Sequence, residues 1–111
     1  MQFNISERLL LLAIIPRQGD ITTLRIVKEL TNELSFSEEE HKNLNLRTEN
    51  GLVHWNAAND FGKEVLFGDV AVKLVCSALA DLEGRKSLGL EYLDLYDRFM
   101  QEKEKREKIK M

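Results

Sequence analysis

Proline, cysteine and tryptophan each occur once in the 111 residues, aromatic side chains make up 7%, and neither sign of charge dominates. A lone Cys76 excludes an internal disulfide, and with only His41 and His54 beside it no zinc-ligand spacing exists. This pattern reads as an intracellular, cytoplasmic chain. The formal net charge is −3, so a general attraction to phosphate backbones or anionic membranes is not expected. Long hydrophobic runs are also missing. The longest, Leu9 to Ile15, covers about 10 Å as helix, far short of the ~20 residues that span a bilayer. Glu7 precedes it, Arg8 is the only cation before it, and Pro16-Arg17-Gln18 is no cleavage site, so the mature chain is expected to start at Met1. Gly51, Gly62, Gly68, Gly84 and Gly89 stand singly at turns or caps. Nucleotide-dependent chemistry therefore has no phosphate loop to use.

What is present suffices for one modest core. Apolar residues make up 43% and charged ones 32%, a composition typical of folded domains. A chain of this length hides roughly 65% of its surface on folding, too little for two independent cores.

Local signals place the elements. Asn4 with Glu7 forms a capping box, predicting a helix from Ile5 to about Ile15, where Pro16 disfavours further helix. Asp20 caps a second helix with an apolar stripe of Ile21, Leu24, Val27, Leu30 and Leu34. Ser37 with Glu40 opens a third, single-turn helix whose acidic start suits the helix dipole. Asn50-Gly51 supplies the geometry of a two-residue hairpin turn. Counting outward pairs Glu49 with Leu52, Thr48 with Val53, and Arg47 with His54. One face then collects Leu44, Leu46, Val53, Trp55 and Ala57 and calls for a helical layer against it. Lys63 to Phe67 reads as a third strand with Val65 and Phe67 on one face. Asp69 is expected to cap a helix carrying Ala71, Leu74, Val75, Ala78, Leu79 and Leu82, closed by Gly84. A last amphipathic helix spans about Leu90 to Gln101, with Tyr92, Leu93, Tyr96, Phe99 and Met100 on one side.

The expected fold class is α+β. Two N-terminal and two C-terminal helices pack on a small, mostly antiparallel sheet built around the hairpin. Residues 1–101 form the single domain. Residues 102–111 form a charged tail of five cations and three anions, which either extends the last helix or frays. Its i,i+4 pairs are Glu102–Arg106 and Glu104–Lys108.

No constellation of catalytic, cofactor-binding or metal-ligating residues is read from the sequence. Glu38, Glu39 and Glu40 point about 100° apart on a helix and do not converge on one ion. His54 falls on the polar hairpin face with no nucleophile beside it. Cys76 sits among aliphatic neighbours, and Trp55 faces Leu46 toward the expected core. A small enzyme would need Glu64 and Asp69 to converge in a cleft. The order helix, helix, short helix, hairpin matches a winged-helix regulator, the alternative reading. Its recognition helix and wing tip would be acidic or neutral, which disfavours nucleic acid.

The segments SERLLLLAIIPRQG (6–19), LSFSEEE (34–40), TENGLVHWN (48–56) and FGDVAVKLVCSALADL (67–82), followed by a helix ending in aromatics, resemble small uncharacterised α+β proteins encoded by bacteriophages and prophages. The resemblance implies an intracellular protein with a binding or assembly role, and no catalytic residue transfers with it. The expectation is a non-enzymatic protein-binding module without cofactors, whose partner is another protein or a second copy in a homodimer. Leu88, Leu90, Leu95 and Ile109 are the candidate partner contacts, and the open sheet edge offers a second surface.

Overall fold

The structure is a computed structural model that describes residues 1–109. It is an α+β fold of five α-helices and two two-stranded antiparallel ladders. The elements are β1 (Gln2–Phe3), α1 (Ile5–Ile14), α2 (Ile21–Leu34), α3 (Glu38–Leu44), β2 (Arg47–Glu49), β3 (Leu52–His54), β4 (Lys63–Glu64), α4 (Asp69–Gly84) and α5 (Leu93–Ile109).

The cap signals set the helix starts. Asn4 Oδ1 accepts from the Glu7 amide at 2.8 Å while the Glu7 carboxylate accepts from the Asn4 amide at 2.9 Å. Ile15 then leaves the helix at ψ 130°, ahead of Pro16. Asp20 accepts from Thr23 at 2.7 Å, and the Ser37–Glu40 box is complete. α3 runs seven residues, beyond its expected single turn, and ends on Asn45 in the left-handed region at φ 51°. Asp69 is displaced by one position from its expected role. Gly68 is the cap, and the Asp69 carboxylate faces Arg106 instead. Gly84 ends α4, while the left-handed residue that reverses the chain is Lys86.

The body is made by α1, α2, α4 and α5, with α1 against both α2 and α4, and α4 against α5. Val27, Leu30 and Leu34 of α2 are buried, although Ile21 at its start is exposed. Phe3, Phe67 and Phe99 close the core. The Phe3 and Phe99 rings stack at 5.9 Å, and Phe67 meets both edge-on at 5.7 and 5.3 Å. Such aromatic pairs contribute about 0.5–1.5 kcal/mol beyond their burial.

The expected sheet divides in two. β2 and β3 pair in the register counted from the turn, with Asn50 and Gly51 both at positive φ. They pair only with each other, and all of β2 with Leu52 and Val53 is exposed. Only Leu44, just before the hairpin, is buried, while Leu46 and Trp55 are half-buried. Among the described residues no helical layer buries the hairpin face, and the core is closed by the other ladder instead. There β1 pairs with β4, and the chain beyond β4 buries Val65 and Phe67 on one side as their alternation requires.

At α5 the expected face holds for Phe99, which is buried, and for Tyr92, Tyr96 and Met100, which pack against the core, but not for Leu93. Leu95 is 1% exposed and packs in the core, so it is no partner contact, whereas Leu93 points outward. Leu95 and Phe99 are one helical turn apart, and that line, with Tyr92 half-buried on it, faces α4. The charged tail continues the helix through Ile109. Glu102 pairs with Arg106 at 2.8 Å and Glu104 with Lys108 at 3.4 Å. Arg106 also donates to the Phe67 carbonyl at 2.7 Å and to Asp69 at 3.1 Å. The last two residues of the expected tail, Lys110 and Met111, lie outside the described residues.

Candidate functional site

Arg8 is the one charged side chain buried in the core of the described residues, at 2% exposure. It lies on the line Ile5, Arg8, Leu11, Ile15, whose steps of three and four mark the buried face of α1. That spacing could have revealed it in the sequence. Its guanidinium donates to the carbonyls of Leu34 and Ser35 at 3.0 and 2.6 Å, and to both Glu40 oxygens at 2.6 and 3.2 Å. The Phe36 ring lies 4.0 Å from its carbon. These bonds close the chain between α2 and α3 onto α1. Because every contact is internal, the cluster is a structural clasp.

Hydrogen bonding from Arg8, opposed by partial burial, holds the Glu40 carboxyl below the ordinary carboxylate value of 4.5. A group whose folded pKa is depressed contributes stability above its unfolded pKa, and that contribution is lost as pH falls through the folded value. Acid titration of unfolding should therefore show a loss beginning near the ordinary carboxylate range and continuing below it. Glu40→Gln should flatten that part of the profile.

The residues singled out in the sequence stay apart. His54 stands opposite Arg47 in the exposed hairpin. Cys76 is buried, its thiol pushed up by desolvation and 3.3 Å from the Phe99 carbonyl. Tyr92 donates its hydroxyl to the Leu10 carbonyl at 3.1 Å, and burial raises its pKa. Glu38 and Glu39 are exposed at the start of α3. Glu64 belongs to the β4 ladder, whereas Asp69 bonds Arg106. No group of three or more His, Cys, Asp or Glu among the described residues is placed to hold a metal ion. No described helix is long and apolar enough to cross a membrane. Of the candidate contacts, Leu90 and Ile109 are exposed, whereas Leu88 is half-buried and packs against the core.

A surface that the sequence reading missed lies between α2 and the start of α4. It is an open groove of about 550 Å³, floored by Ile26, Leu30 and Ala71 and flanked by Leu66 and Val70. Leu66 is 85% exposed and Val70 57%. Val65 and Phe67 turn inward on the extended chain, so Leu66 must turn out. Val70 lies off the buried stripe of α4. Both are apolar residues out of phase with the core, and that is the signal the sequence carried for them. A second, more open recess, which shares Val70 with the groove, lies beside Pro16, Thr23 and Leu74.

Glu29 and Glu33 stand on the α2 rim, one turn apart. The ion pairs engage other side chains, leaving both carboxylates outside every ion pair of the described residues. Like charges at this i,i+4 spacing repel. The nearby Lys63 ammonium donates to the Glu33 main-chain carbonyl at 2.7 Å. An exposed apolar strip beside two carboxylates that lie outside these ion pairs suits a ligand that is apolar on one side and cationic at its margin. Comparisons of the chain with models of protein families, with curated proteins and with solved structures find no match.

Proposed function

We propose that this chain is a non-enzymatic protein-binding or assembly module of the cytoplasm, of phage or prophage origin, that acts through the groove between α2 and α4. The observation that carries the reading is the exposure of Leu66 and Val70 along an apolar floor. Clustered exposed apolar side chains mark interaction surfaces, and an acidic rim selects partners bearing lysine or arginine beside their apolar contacts. The origin rests on the sequence resemblance. The winged-helix alternative has the order α1, α2, α3 and hairpin in its favour. Against it stand the acidic first turn of α3 and the Glu49 at the wing, which is paired with Arg47.

The test is the double variant Leu66→Asp, Val70→Asp. Both positions are exposed, so each change should alter folding stability by no more than about 0.5 kcal/mol, checked by urea denaturation. Proteins captured from the native host lysate by the wild type should be lost by the variant. Equal capture by both proteins would overturn the reading. Tight, steeply salt-dependent binding to random duplex at low salt would favour the alternative.

A further inference from the structure

We propose that the groove takes the basic end of α5 from a second copy, the two copies exchanging these ends reciprocally about a two-fold axis. This rests on the groove being the contact surface. The first argument is charge. Residues 1–100 carry 11 cations against 16 anions, a net of −5, whereas residues 101–109, the described end of α5, carry four against three, a net of +1. The acidic rim and the basic helix end are therefore opposite in sign within one chain.

The second argument is place. Arg106 bonds Asp69, which itself lines the groove, so α5 runs out beside the groove of its own copy. A helical step of three puts Ile109 on the face that carries Arg106, and Ile109 is exposed. Lys105 and Lys108 share a neighbouring face of α5 with Ile109 and with Glu104, whose pair with Lys108 is exposed and therefore weak. Arg106 ties the α5 end beside the groove, while Lys108, about 160° round the helix from Arg106, projects with exposed Lys105 from the free side of that end. The rim and the lysines therefore belong to an outer surface open to a second copy. A two-fold axis through such a surface satisfies both copies at once and closes the assembly. In this arrangement Ile109 of each copy covers the Leu66 and Val70 strip of the other, while Lys105 and Lys108 face Glu29 and Glu33.

A charge-swap experiment with the full chain decides it. One variant is Glu29→Lys with Glu33→Lys; the other is Lys105→Glu with Lys108→Glu. Sedimentation equilibrium of the wild type should show a dimer forming in the micromolar range. Each variant alone opposes like charges at both ends of the exchange, so its self-association should weaken by about tenfold or more. Mixing the two variants pairs lysine rim with glutamate end and glutamate rim with lysine end. The mixture should associate within about threefold of the wild type. Thermal melts followed by circular dichroism show that each variant is folded.

A wild type that stays monomeric at high micromolar concentration would overturn the proposal. So would variants that dimerise like the wild type, or folded variants whose mixture does not associate. If the monomeric wild type still captures another protein through Leu66 and Val70, the groove reading stands and its occupant is a different chain. If that capture is also lost, both readings fail together.

Discussion

Phe99→Ala is expected to lower the unfolding free energy by about 3–5 kcal/mol, roughly a third to a half of the stability of a domain near the middle of the usual range of about 5–15 kcal/mol. Phe99 is fully buried and touches both other rings of the aromatic cluster. Its main chain accepts from Cys76, and the neighbouring Arg98 reaches back to Glu7 and Gln2. Truncation therefore leaves a cavity where α5, β1 and the chain after β4 meet, and a rigid body of helices can collapse into it only partly. Phe99→Leu, which fills most of the volume, should lose much less. Urea midpoints with an unchanged slope would show that stability alone has changed. A Phe99→Ala loss below about 1 kcal/mol would mean that the three rings do not form the core described.

Arg8→Ala should lose about 3–5 kcal/mol, the range for removing one member of a buried ion pair. The variant leaves the Leu34 and Ser35 carbonyls without their donor and Glu40 without its partner. Glu40 keeps some access to water, its side chain being 30% exposed, which places the expected loss toward the lower end. The informative comparison is Arg8→Ala in a Glu40→Gln background. If the two side chains act as a pair, the double variant should lose less than the sum of the single losses. Strict additivity would assign the burial of Arg8 to its backbone contacts and the Phe36 ring alone.

Local rules were legible in the residues and non-local ones were not. Asn4–Glu7, Asp20, Ser37–Glu40 and Asn50-Gly51 each settle a cap or a turn within four residues, and the structure places each where those residues point. The β1–β4 ladder is two residues long on each side and joins positions about sixty apart. Nothing periodic can appear in a strand as short as β1, so the residues offer Lys63 to Phe67 no partner except the hairpin. Leu93, Leu95, Tyr96, Phe99 and Met100 offer apolar residues on more than one face of α5, and packing turns Leu95 in and Leu93 out. Arg8 was read as a cation preceding an apolar run, whereas its place in the line from Ile5 to Leu11 governs its burial. The groove escaped notice for a related reason. Its exposed residues are apolar, and an apolar residue is first assigned to the interior.

The hairpin stands clear of the interior, and this gives it a practical use. Around Gly51 a side-chain atom would meet nothing within 4 Å, and β2 and β3 hydrogen-bond only to each other. Its amides are expected to exchange with deuterium without opening of the helices. The Asn50-Gly51 tip is thus a permissive point for inserting an affinity tag or a fluorophore, one that reports on the docking of another molecule from a position outside the groove.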